Sequence, residues 1–163
     1  MTYNCYIMDS SSLIDLNKHS PIDVFPSVWK NLKSLISQGR LVAPLEVLNE
    51  ITQMDDQLYK WVKEQTNLFR EPTEKQIEIV KDILKTYPSM VKEDREYDAD
   101  SWVIALAIEM KSNPQQTLLQ KEIIIVTEEK IRGERVRISY VCQKYQVDSI
   151  DIIEMFRIEG WKF

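Results

Sequence analysis

Asp9, Glu50, Asp100 and Glu129 are the residues best placed to do chemistry, because each stands where a short apolar run stops or a helical pattern begins. In a parallel α/β sheet the strands all end on one edge, so acids far apart in sequence can meet in a single crevice there. Carboxylate oxygens are hard donors. Four of them converging suggest a divalent metal ion.

Each acid also has a plainer explanation. Asp9 follows Tyr6-Ile7-Met8 and precedes Ser10-Ser11-Ser12, so it could cap a helix over Leu13 to Leu16. Three serines already supply that cap, which leaves the Asp surplus to the need. Glu46 and Glu50 lie four apart on one helix face, and solvated glutamates are common there. Glu50 is flanked by Val47, Leu48 and Ile51, whereas Glu46 lies nearer the solvent side or helps from behind. Asp98 and Asp100 precede an apolar helix whose dipole favours acids at its start. Asp98 stands before the helix and is the better cap, leaving Asp100 to point toward the strand ends. Glu128 and Glu129 follow the run Ile123 to Thr127, repeating the arrangement at Asp9. Together the four are harder to dismiss than singly.

The elements that must position them are short. β-like runs occur at Asn4 to Met8, Arg40 to Ala43, Glu122 to Val126 and about Gln146 to Ile150, with no convincing strand between Pro44 and Asp100. Helical patterns fill the gaps. Phe25, Val28, Trp29, Leu32, Leu35 and Ile36 recur at helical spacing, and Gly39 ends that helix. Pro44 suits the first turn of the next helix, which carries Val47, Leu48 and Ile51; Leu58, Trp61 and Val62 continue it or form a neighbour. Pro72-Thr73 starts a helix with Ile77, Val80 and Leu84 on one face. Asp100 to Met110 is almost wholly apolar, as in a helix packed on several sides. The last helix is predicted from about Ser149 to Ile158, ending at Gly160. Strands separated by helices rather than tight hairpins predict a parallel sheet covered on both faces. The chain of 163 residues reads as one unit, residues 1–163.

Charge narrows the partners. With 21 basic against 26 acidic residues and a net of -5, a nucleic acid could be held only by a local basic stripe or by metals that offset the acids. Lys130, Arg132, Arg135 and Arg137 form such a stripe directly after the fourth acid, although a solvated charged segment explains them as well. Cys5 and Cys142 have no short-spaced partner for a zinc knuckle or disulfide framework, and read as buried thiols in a reducing cytosol. The start of the chain lacks a basic region and an apolar signal core, and no apolar stretch nears the roughly 20 residues of a membrane span. A soluble cytoplasmic protein is expected. The three glycines form no phosphate-cradling loop.

Tyr6-Ile7-Met8-Asp9-Ser10-Ser11 resembles the opening strand, Asp and Ser/Thr block of the PIN-domain nucleases, including the PIN-like proteins of bacterial toxin–antitoxin pairs. Pro44-Leu45-Glu46-Val47-Leu48-Asn49-Glu50-Ile51 is similar to their second-acid helix, which selects Glu50 over Glu46. Asp100-Ser101-Trp102-Val103-Ile104-Ala105-Leu106-Ala107 resembles the family's Asp, aliphatic pair and two spaced alanines, and selects Asp100 over Asp98. Ile125-Val126-Thr127-Glu128-Glu129 looks like the family's strand, Thr, any residue and Asp, but with Glu in place of Asp. The resemblance runs from about Tyr6 to Glu129, and Val141 to Phe163 looks like the closing strand and helix of the PIN-like subgroup.

The resemblance implies a three-layer α/β/α sandwich with a small, mostly parallel sheet. It implies that Asp9, Glu50 and Asp100 bind Mg²⁺ or Mn²⁺ while Glu129, or its neighbour Glu128, completes the site or positions the water. Two such ions about 4 Å apart could drive in-line phosphodiester hydrolysis without a nucleophilic side chain. Ser11 or Thr127 would orient a ligand or touch a phosphate, and Lys130, Arg132, Arg135 and Arg137 would contact the substrate. His19 is then a surface residue. RNA is the implied substrate and a partner antitoxin the implied inhibitor of a growth-blocking toxin. The Trp and Tyr content could serve a homodimer surface or only the core. The Glu at 129 and the acidic net charge also suit a PIN-like module that binds RNA or protein without cutting. A phosphatase with an Asp nucleophile fits less well, because it wants a second Asp two residues on, where Ser11 stands.

Overall fold

Cys5, Tyr6, Ile7 and Met8 are wholly shielded from solvent in the computed structural model of the protein, as an unbroken apolar run requires when both faces of a strand are covered. The structure describes residues 2–53, 56–90, 99–112, 120–129 and 138–163. Those four residues belong to β1 (Thr2–Met8). Around it lie β2 (Leu41–Pro44), β3 (Phe69–Arg70), β4 (Gln120–Val126) and β5 (Asp148–Ile150), in the order β3-β2-β1-β4-β5. Every pairing is parallel, with Met8 opposite Val126 and Val126 opposite Ile150.

Parallel neighbours need crossover helices. Among the described residues the helices are α1 (Ser10–His19), α2 (Pro26–Ser37), α3 (Leu45–Ile51), α4 (Asp56–Glu64), α5 (Glu74–Thr86), α6 (Asp100–Ser112) and α7 (Ile138–Lys144), which lie between strands, and α8 (Ile152–Ile158), which follows the last one. They cover both faces of the sheet, giving the expected α/β/α sandwich. The strands progress outward from β1 to β3, then the chain returns to set β4 beside β1 on the other side. In open parallel sheets such a switch in direction is where ligands bind, here beyond the carboxyl ends of β1 and β4. α6 lies across β1, β2 and β4 with α5 and α7 alongside; Ala105 and Ala107 are fully buried in it. None of the helices described is long and apolar enough to cross a membrane.

Several boundaries differ from expectation. Pro44 ends β2 and stands at the cap of α3 rather than in its first turn. The two-residue strand β3 falls in the stretch where none is predicted, too short to leave a pattern. α5 buries Gln76, Val80 and Ile83, while Ile77 is exposed. Ser149 belongs to β5, and α8 begins at Ile152, where the Asp151 carboxylate accepts from the Glu154 N–H at 2.8 Å.

Three helices end in the same closure, in which the residue after the cap turns left-handed and two amides return to the last carbonyls. After α2 the Gly39 and Arg40 amides bond Ile36 and Leu35, at 3.0 and 2.9 Å, with Gly39 at φ +69°. Gly160 closes α8 likewise. α7 closes through Gln146 at φ 58°, where a side chain is disfavoured. Gln146→Gly is expected to stabilise the protein by about 1 kcal/mol, raising its calorimetric melting temperature by about 2–4 °C.

The far end of α8 is tied to the sheet. The buried Tyr6 hydroxyl donates to Glu159 Oε1 at 2.7 Å, and the Arg40 guanidinium pairs with the same oxygen. Arg40 Nε also donates to the Asn4 carbonyl at 2.9 Å. Burial, with the Glu159 carboxylate, pushes the Tyr6 hydroxyl well above its ordinary pKa.

Candidate functional site

The chain leaves β1 in an extended conformation at Asp9 and turns at once into α1, so the Asp9 side chain sits at the strand's carboxyl end. Its Oδ1 accepts from the Ser12 N–H at 2.9 Å, the cap that the three serines were expected to provide. The Ser11 hydroxyl lies 2.8 and 2.9 Å from the two carboxylate oxygens, and Thr127 Oγ1 donates to Oδ2. Ser11 and Thr127 therefore grip Asp9 directly. They are held in turn from β4's exit, because the Glu128 N–H donates to Ser11 Oγ at 3.0 Å and the Glu129 N–H to Thr127 Oγ1 at 3.1 Å. Ser12 Oγ bonds the Val126 carbonyl at 2.9 Å. The ends of β1 and β4 are thus laced together by hydroxyls.

Asp9 is 2% exposed and Asp100, the first residue of α6, is 6% exposed. Burial pushes the Asp9 carboxyl up to about 6; the Thr127 hydrogen bond pulls it down, and the nearby Asp100 charge pushes it up again. Desolvation is the largest of these effects, as expected for a charge removed from water. Two buried acids from different elements oppose each other here.

Glu50 is 3% exposed on α3. The Ser10 hydroxyl donates to its Oε1 at 2.7 Å, and the Ala99 N–H to its Oε2 at 2.7 Å. Glu50 thereby touches the residue after Asp9 and the residue before Asp100. Glu46 stays half-buried in the first turn of α3.

Glu129 follows β4 and is half-buried. The Cys142 thiol on α7 is pushed up to about 12, chiefly by its burial, then by Asp9, with Glu129 adding to the rise. Glu128 is turned to another task, since its Oε1 accepts from the Ile152 N–H at 2.7 Å at the start of α8. Asp98 and the basic residues Lys130, Arg132, Arg135 and Arg137 lie outside the described residues. His19 is exposed at the end of α1.

As the side chains stand, no three acid, histidine or cysteine groups among the described residues are gathered into a metal-ligand set. The donor chemistry nevertheless suits a hard cation. Asp9 and Asp100 are carboxylates whose burial and mutual repulsion a positive charge would relieve together, and oxygen donors are what Mg²⁺ and Mn²⁺ prefer. Ser10 and the Ala99 amide are the parts of the site that no local pattern announces. Ser10 meets Glu50 across 40 residues of chain, and its only signal is that a serine run offers more hydroxyls than one helix cap needs.

A family model described as "Domain of unknown function (DUF4411)" matches residues 6–163. No curated protein matches the chain.

Proposed function

The chain belongs to the DUF4411 family, a domain of unknown function that spans residues 6–163, and we propose that this member is a metal-dependent ribonuclease. The observation that carries the reading is the meeting of two buried aspartates, Asp9 and Asp100, beyond the carboxyl end of the central strand. Structural acids seldom stay buried beside another acid, since each charge raises the cost of the other. A site for a cation explains why both are kept.

A bound Mg²⁺ or Mn²⁺ would supply an activated water and offset charge on a phosphodiester during in-line hydrolysis. The chain's own residues would do the positioning. Ser11 and Thr127 fix the Asp9 carboxylate against rotation. Glu50 and Asp100 would add carboxylate oxygens, and Glu129 would complete the set or orient the water. RNA as substrate, an antitoxin as partner, a homodimer and a cytoplasmic setting rest on the resemblance to PIN-domain nucleases. Lys130, Arg132 and Arg135 would meet the substrate's phosphates.

The test is cleavage of single-stranded and hairpin RNA by purified protein in Mn²⁺ or Mg²⁺. Wild type is expected to cut, and Asp100→Asn to lose roughly 10³-fold, about 4 kcal/mol of transition-state stabilisation. Absence of cleavage with either ion, or equal cleavage by the variant, rejects the reading.

A second reading, a module that binds RNA or protein without cutting, is favoured by one observation. Asp9 already has hydrogen bonds from Ser11, Ser12 and Thr127, so its charge is partly met without a cation. Calorimetry separates the two: no heat of binding at millimolar Mn²⁺ supports the module.

A further inference from the structure

We infer that Ser10 and Glu50 form a buried strut that sets the spacing between Asp9 and Asp100, which makes Ser10 a positioning residue of the site. The strut is read directly from contacts; its consequence for metal binding rests on the proposed nuclease reading.

Three elements meet in it. Ser10 opens α1 immediately after Asp9, Ala99 stands immediately before Asp100 at the start of α6, and Glu50 reaches both from α3. A carboxylate is a rigid, planar group, so anchoring its two oxygens to Ser10 Oγ and to the Ala99 N–H, each at 2.7 Å, holds the Ser10 side chain and the Ala99 backbone at a set spacing. Both bonds lie in a dry interior, where hydrogen bonds are stronger than in water, with Ser10 at 4% and Glu50 at 3% exposure. Ser10 is free for this work because the helix amide of Ser12 is already capped by Asp9.

Removing one arm without touching any of the four acids isolates the effect. In metal-free Ser10→Ala the Ala99 amide is expected to exchange with deuterium at least about tenfold faster, while core amides such as Tyr6, bonded to the Arg40 carbonyl, keep their rate. The Mn²⁺ dissociation constant, read by calorimetry, is expected to rise about tenfold or more, as for loss of a supporting partner behind a ligand. Ser10→Thr, which retains the hydroxyl, restores both. Should Ser10→Ala not fold, Ser10→Cys carries the test, with its far weaker donor. Unchanged Ala99 exchange in a folded variant overturns the strut. Wild-type protein that binds no Mn²⁺ sinks the nuclease reading instead, and the Ala99 exchange rate still decides the strut.

Discussion

Asp9→Asn is expected to stabilise the metal-free protein at pH 8 by about 3 kcal/mol while lowering RNA cleavage on the order of a thousandfold. The Asp9 carboxyl titrates near 6 in the fold against an ordinary 3.8, because burial and then the Asp100 charge oppose its ionisation. The folded state therefore holds this proton more tightly than the unfolded chain does. Asp9 favours the fold fully below about pH 4, and that contribution is lost as the pH rises through 6, where the buried charge carries its whole penalty. Asparagine has no such charge and caps a helix as well as aspartate. Melting curves of both proteins should coincide below about pH 4 and separate between pH 4 and 7. Saturating Mn²⁺ should raise the wild-type curve at pH 8 and leave the variant's in place. A variant less stable than wild type at pH 8 would show that the hydrogen bonds to Asp9 outweigh its burial.

Glu159→Ala is expected to cost about 3 kcal/mol in urea unfolding without altering the acids of the site. The substitution strands two groups at once. The Tyr6 hydroxyl, on a fully buried residue, loses its acceptor, and the half-buried Arg40 loses its counter-charge. A buried donor left without a partner costs about 1–3 kcal/mol, and breaking a largely buried ion pair from one side adds to that. Adding Tyr6→Phe should recover about 1 kcal/mol, because the stranded hydroxyl is gone. Purely additive losses in the double variant would dissolve the link between the two residues.

The reach of the sequence follows the physics of burial. β1 and β4 were legible because strands covered on both faces must be continuously apolar, and Cys5 to Met8 and Ile123 to Val126 are. Their parallel order followed from the helices between them. β3 was not legible: Phe69 and Arg70 pair at the edge of the sheet through backbone groups that every residue has. The start of α8 was misjudged because Ser149 and Asp151 are both good caps, and only the pairing of Ser149 with Ile125 decides between them. In the site, strand-end position pointed to Asp9, and burial separated Glu50 from Glu46. What the sequence could not carry was the wiring. The engagement of Glu128 with Ile152, and of Ser10 and Ala99 with Glu50, joins residues 24, 40 and 49 positions apart.

The place of β1 at the centre of the sheet also governs when the site can exist. Its last turn into Asp9 is made before Thr127, which grips that acid and lies 118 residues further along. At a synthesis rate of 5–20 residues per second the interval is roughly 6 to 24 s. During that time Asp9 has no β4 beside it, and the acids cannot be gathered. A chain whose proposed substrate is the polymer that encodes and assembles it is thereby unarmed while that interval lasts, and competence waits for β4 to leave the ribosome.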